Sequence, residues 1–121
     1  MTVTIFNRTE ENADGEMQYK ASVFRNVRIE TKLAANPVDS GERNNDNFIL
    51  FLFSKEGYVT PEHFVGENRK GHWTLAPGDL VAEGICTALP ARPYRINTVN
   101  PCYAGEHFHH WEVKGRGQIL E

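Results

Sequence analysis

MQYKASVF, residues 17–24, alternates polar and apolar residues: Met17, Tyr19, Ala21 and Val23 share one side, and Gln18, Lys20 and Ser22 the other. Successive side chains of a strand point to opposite faces, so this is the pattern of a half-buried antiparallel strand. The apolar row is expected to face inward. Working outward, the same period recurs. In TVTIFN (2–7), Val3 and Ile5 point one way and Thr2, Thr4 and Phe6 the other. The acidic stretch RTEENADGE (8–16) separates the two segments and turns at Asp14-Gly15. NVRIETKL (26–33) continues through Val27 and Ile29, with Leu33 out of phase.

Further along, FILFLF (48–53) holds no polar residue and reads as a strand buried on both faces. YVTPEHF (58–64) carries a helix start: Thr60 as N-cap, Pro61 at the first helical position and Glu62 at the positive helix end. Gly66 stops it early, which predicts one short helix near 61–65. In HWTLAPGDLVAEGIC (72–86), Pro77-Gly78 fits the central pair of a type II turn. A strand then runs from Leu80 to about Cys86. RPYRINTV (92–99) is another, with Tyr94, Ile96 and Thr98 on one face, and HFHHWEVK (107–114) closes the fold.

Two segments lack periodicity. Residues 34–47, AANPVDSGERNNDN, form one long polar loop, and a loop of that length is usually functional or disordered. GRGQILE (115–121) reads as a C-terminal tail, either frayed or a docking arm. About seven short antiparallel strands and one short helix predict an all-β fold, a small β-barrel or sandwich. With 121 residues, the chain is long enough for a single domain spanning 1–121.

Composition narrows the function classes. Thirteen Lys+Arg against sixteen Asp+Glu give a net charge of −3, without the basic face that a sequence-independent duplex binder uses. Cys86 and Cys102 form no CxxC and no disulfide framework, so two reduced thiols are expected. The start, MTVTIFNRTE, lacks the pattern of a signal peptide. FILFLF is far shorter than the roughly 20 residues a membrane helix needs. There is no G-x-S-x-G and no P-loop. Ser22, Ser40 and Ser54 have no local His/Asp partner. Asp79 and Glu83, four apart, read as a solvated strand face. Phe6, Tyr19, Phe24 and Trp73 are not interleaved with Arg or Lys as a base-stacking platform would be.

The densest chemistry lies in GEHFHHWEV (105–113). His107 and His109 share a strand face and could reach one metal. His110 points away and joins them only through a bulge, and Glu112 shares its face. A catalytic zinc normally takes three protein ligands, so a third must come from His63, His72 or a cysteine. Gly105, His107, His109 and Glu112 resemble the first motif of the cupins, small metal-binding β-barrels, and HWTLAPGD is similar to their Pro-x-Gly turn. The order differs: in cupins a second motif with another His follows, whereas no His follows His110, and the spacing from Gly105 to His107 is shorter. The competing reading is a terminal strand anchored by Trp111 and Val113, with its histidines near an edge.

A second resemblance runs through most of the chain. VTIFNR (3–8), YKASVFRNV (19–27), VTPEHF (59–64), WTLAPGDLVAEG (73–84), YRINTVN (94–100) and HHWEVKGR (109–116) occur in this order. The series resembles small proteins from the structural modules of phages and prophages of Gram-positive bacteria. That resemblance implies a non-enzymatic virion assembly protein: a head–tail connector subunit of head-closure (stopper) or neck type. It implies a homo-oligomeric ring around the DNA channel. Its neighbours would be portal or adaptor-type and tail proteins, with double-stranded DNA passing without sequence-specific contact. A tail terminator, tail-completion or capsid-associated component is the alternative within that class. The implied location is the virion, assembled in the host cytoplasm, with no membrane. Trp73, Pro77, Gly78, Asp79, Gly84 and Trp111 become fold determinants, and no catalytic residue, cofactor or metal is carried over. The alternative from a different class is a cupin-like metal-dependent enzyme using His107 and His109.

Overall fold

The computed structural model describes residues 1–31 and 47–117. Nearly all of the long polar segment 34–47, together with Leu33 and residues 118–121 of the expected tail, lies outside the described residues. The fold is all-β. Seven antiparallel strands form one sheet: β1 (Val3–Glu11), β2 (Met17–Phe24), β3 (Arg28–Thr31), β4 (Phe48–Leu52), β5 (Leu80–Glu83), β6 (Tyr94–Ala104) and β7 (His107–Gly117). Their order is β2-β1-β5-β6-β7-β4-β3.

This sheet is not closed, so the barrel alternative does not hold. It is nevertheless strongly curled. The edge strands β2 and β3 are joined by Arg25, Asn26 and Val27 alone. Laid flat, six inter-strand spacings would separate those edges by about 29 Å. The chain from Phe24 to Arg28 can span only about 14 Å. The sheet therefore wraps one face inward, and the linker between its edges is tied to the start of the chain by Val27 N–H donating to Met1 O at 3.0 Å. An open cleft remains there, lined by Ser22, Phe24, Leu52, Ser54 and Trp73 among others.

The concave face carries the main core. Val3 and Ile5 of β1, Phe48, Leu50 and Leu52 of β4, Val81 of β5, Ile96 of β6, and Trp111 and Val113 of β7 meet there. Two tryptophans fasten the 54–57 segment to it. Trp73 donates its indole N–H to Glu56 O at 2.7 Å, and Trp111 donates to Ser54 O at 3.1 Å. Tyr58 bridges them, with ring centroids 5.3 Å from Trp73 and 4.5 Å from Trp111. A smaller cluster of Phe6, Leu80 and Ala82 sits on the opposite face, covered by Tyr19, Cys86 and Leu89. β1 is thus buried on both sides.

Several expectations change. In β2 the inward row is reversed: Ala21 and Val23 are exposed, and Phe24 is buried. Cross-strand partners share a face, and β2 pairs Phe24 with Val3, Ser22 with Ile5 and Lys20 with Asn7. The ring of Phe24 packs into the main core, edge-on to Trp73 at 4.7 Å. β4 is buried on one face only; Ile49 and Phe51 are half-buried and Phe53 is 49% exposed. The helix near 61–65 is a 3₁₀ turn at Pro61–His63, followed by another at Gly66–Arg69. Thr60 caps no backbone group; its hydroxyl meets His63 Nδ1 at 2.6 Å, and Gly66 opens the second turn instead of stopping the first.

The type II turn stands, with Gly78 at φ 96° and Asp79 N–H donating to Ala76 O. In β6 a bulge at Asn97 breaks the phase, so Ile96 and Val99 face the core and Thr98 is exposed. β7 is not the closing strand: it lies between β6 and β4. Nor does a tail begin at 115. Gly115 pairs with Phe48 and Ile96, and Gly117 with Tyr94.

Candidate functional site

The β6–β7 hairpin projects past the end of β4, whose pairing with β7 stops at Trp111. Its register decides where the histidines go. Cys102 stands opposite His110, but Tyr103 stands opposite Phe108, so His109 is the extra residue of a bulge. The bulge expected for His110 to join His107 and His109 is present, and it sets His110 beside His109 but not beside His107. Across it, Phe108 and Trp111 both pack toward the core, with ring centroids 5.2 Å apart.

On the outer face, the Nδ1 atoms of His109 and His110 are 2.8 Å apart. The Nε2 of His110 lies 4.0 Å from Oε2 of Glu112. Cys102 completes the group: ligand atoms of Cys102, His110 and Glu112 all lie within 4.8 Å of one another. All three are partly buried. Phe51 and Phe53 flank His110, with ring centroids at 5.8 and 6.0 Å. Oε1 of Glu112 pairs with Lys114 Nζ at 3.4 Å. Glu112 and His110 share a face as alternation required. The third donor is the cysteine, and cross-strand register, invisible in the sequence, brings it there. His107 stays exposed opposite Ala104 and joins no such group among the described residues. His63 is held by Thr60, and His72 offers its backbone O to Lys20 Nζ at 2.8 Å. Both cysteines are free thiols.

The second polar constellation lies at the other end of the sheet. Asn7 is fully buried and Asp79 is 2% exposed. Asn7 Nδ2 donates to Thr74 O at 2.7 Å and to Asp79 Oδ2 at 2.9 Å, while Thr74 N–H donates to Asn7 Oδ1 at 3.2 Å. Arg8 N–H donates to Asp79 Oδ1 at 3.0 Å, and Arg8 Nε lies 3.5 Å from the same oxygen. Arg8 Nη2 donates to Pro77 O at 2.7 Å. Burial pushes the Asp79 carboxyl above its ordinary value, against the hydrogen bonds from Arg8 and Asn7 and the Arg8 charge, which pull it down. Asp79 is thus no part of a solvated face; only Glu83 remains exposed. Every polar atom of the Asn7 amide is engaged, which identifies the node as a brace between β1 and the Pro77-Gly78 turn.

Asp79 is missed by strand-face reasoning because the turn before β5 sets its direction. Its place directly after Pro-Gly was one signal, and the resemblance that counts it among the fold determinants was another. No curated protein and no solved structure matches the chain. A family model matches residues 1–116, so the chain belongs to DUF6751, a family of unknown function.

Proposed function

We propose that this chain is a non-enzymatic structural subunit of a phage particle, forming a homo-oligomeric head–tail connector ring around the DNA channel. The observation that carries the reading is the open sheet. Among the described residues, β2 and β3 each have one partner strand and one free edge. A free edge presents unpaired N–H and C=O groups to another chain. The two edges differ in kind. β2 is eight residues long and bears exposed Met17, Ala21 and Val23, whereas β3 is four residues long and bears the Arg28–Glu30 ion pair. Pairing β2 of one copy with β3 of the next is a heterologous contact, the kind that closes into rings.

The ordered resemblance to phage structural-module proteins supports the same reading. So does the net charge of −3, since a like-charged wall does not trap a passing duplex. Portal or adaptor-type and tail proteins would be its neighbours in the virion. Mass spectrometry and cross-linking of purified particles test this. The chain should be present in mature particles, cross-linked to itself and to portal-side neighbours. Cross-links to tail proteins alone would favour a tail-terminator role, and absence from mature particles overturns the proposal.

The second reading is a metal-dependent enzyme. The Cys102, His110 and Glu112 group favours it, in place of the His107 and His109 pair. Hydrolytic turnover abolished by Glu112→Gln would support that reading over the first.

A further inference from the structure

We propose that Cys102, His110 and Glu112 bind one zinc ion on the outer face of the β6–β7 hairpin, with His109 as a positioning residue. The inference does not rest on the ring reading. A thiol, an imidazole and a carboxylate converge from two paired strands. Thiolate and imidazole donors together select zinc over magnesium, calcium or manganese. With bonds of about 2.0–2.3 Å, donors around a tetrahedral zinc lie about 3.3–3.8 Å apart. The three ligand atoms lie within 4.8 Å of one another, so a contraction of about 1 Å by side-chain rotation closes the site. On binding, the Cys102 thiol releases its proton to solvent and the thiolate becomes the ligand.

The second nitrogen of His110 strengthens the assignment. A metal-bound histidine almost always has its other ring nitrogen held by a hydrogen-bond partner, which fixes tautomer and ring angle. Nε2 of His110 faces Glu112, and Nδ1 of His110 is 2.8 Å from Nδ1 of His109. The bulge that inserts His109 therefore supplies the orienting partner. Lys114 occupies Oε1 of Glu112 and leaves Oε2 turned toward His110. Phe51 and Phe53 limit water on one side. Three protein donors leave one position of the tetrahedron for water, the arrangement of an open site.

Zinc and cobalt titrations of the full chain test this. One equivalent should bind. Bound cobalt should show the thiolate charge-transfer absorption and the intense visible bands of a tetrahedral site. Cys102→Ser should abolish the charge-transfer absorption, and His110→Gln and Glu112→Gln should abolish or severely weaken binding. His109→Ala should weaken it about 10- to 100-fold while keeping the cobalt spectrum. His107→Ala should change nothing. Circular dichroism establishes that each variant folds. In the unaltered chain, zinc should slow alkylation of Cys102 and leave that of Cys86 unchanged, a readout independent of any variant. No stoichiometric uptake, no protection of Cys102, or binding that survives Cys102→Ser and is lost in His107→Ala overturns the proposal.

Discussion

At the scale of single residues, burial outranks residue type. Asp79 has the composition of a surface residue and the environment of a core one. Truncating it to Ala takes the acceptor from Arg8 N–H and from one of the two Asn7 Nδ2 protons, the other remaining on Thr74 O. Asp79→Ala should therefore cost about 2–3 kcal/mol, read from urea unfolding midpoints. The pH dependence has a definite sign. The folded carboxyl holds its proton more tightly than the unfolded one, so its contribution favours the fold at low pH. That contribution is lost as pH rises from the ordinary carboxylate range through the raised native value. The stability advantage of the unaltered chain over Asp79→Asn should shrink across that window and then level off; an advantage that grows with pH would make the Arg8 charge dominant over burial. Gly115 is a second case. A Cβ there would lie 1.8 Å from Arg95 O and 2.6 Å from Phe48 Cε1. Backbone and a packed ring cannot both yield, so Gly115→Ala should cost about 3 kcal/mol or more. Gly117→Ala, with Asn47 Nδ2 the nearest atom at 3.8 Å, should stay within about 0.5 kcal/mol in the same assay.

At the scale of the element, alternation is legible and its phase is not. Period two marked where strands run through residues 3–7, 17–24 and 107–114, and an unbroken apolar run marked 48–52. Two bulges then defeat face assignment, at Asn97 in β6 and His109 in β7. Nothing in either residue announces a bulge; it follows from matching two strands that each carry core residues on both sides of it. Trp111 and Val113 were legible as anchors because no bulge separates them. The Cys102, His110 and Glu112 group was half legible: His110 and Glu112 share a face by sequence spacing, while Cys102 enters only through the pairing. Deleting His109 isolates the bulge. Strict alternation from Trp111 then still places Phe108 on the Trp111 face, so the hairpin should close in the same register without the bulge. Phe108 and Trp111 stay packed, so stability should stay within about 1 kcal/mol of the unaltered chain. Near-ultraviolet circular dichroism should keep its Trp111 signal; a lost signal would mean that the hairpin shifts register and turns Phe108 outward.

At the scale of the whole molecule, strand content and the antiparallel arrangement follow from the sequence, and strand order does not. The last strand in sequence is buried between β6 and β4, and β2 and β3, neighbours in sequence, become the opposite edges. The reversed face of β2 belongs to the same problem, because β1 offers apolar surface on both sides and only the register chooses between them. What the reversal leaves is an edge strand with Val23 41% exposed. A charged residue on such a strand is a common bar to edge-to-edge pairing. Val23→Lys should leave the isolated fold within about 0.5 kcal/mol, since the side chain already meets solvent. In the proposed ring its effect should fall on assembly: fewer copies per particle and loss of self-cross-links. Ala13→Lys, in the exposed turn between β1 and β2, adds the same charge off the edge and should assemble normally. Copy number that survives Val23→Lys removes the β2 edge from the subunit contact. Equal losses in both variants mean that added charge, and not strand pairing, governs assembly.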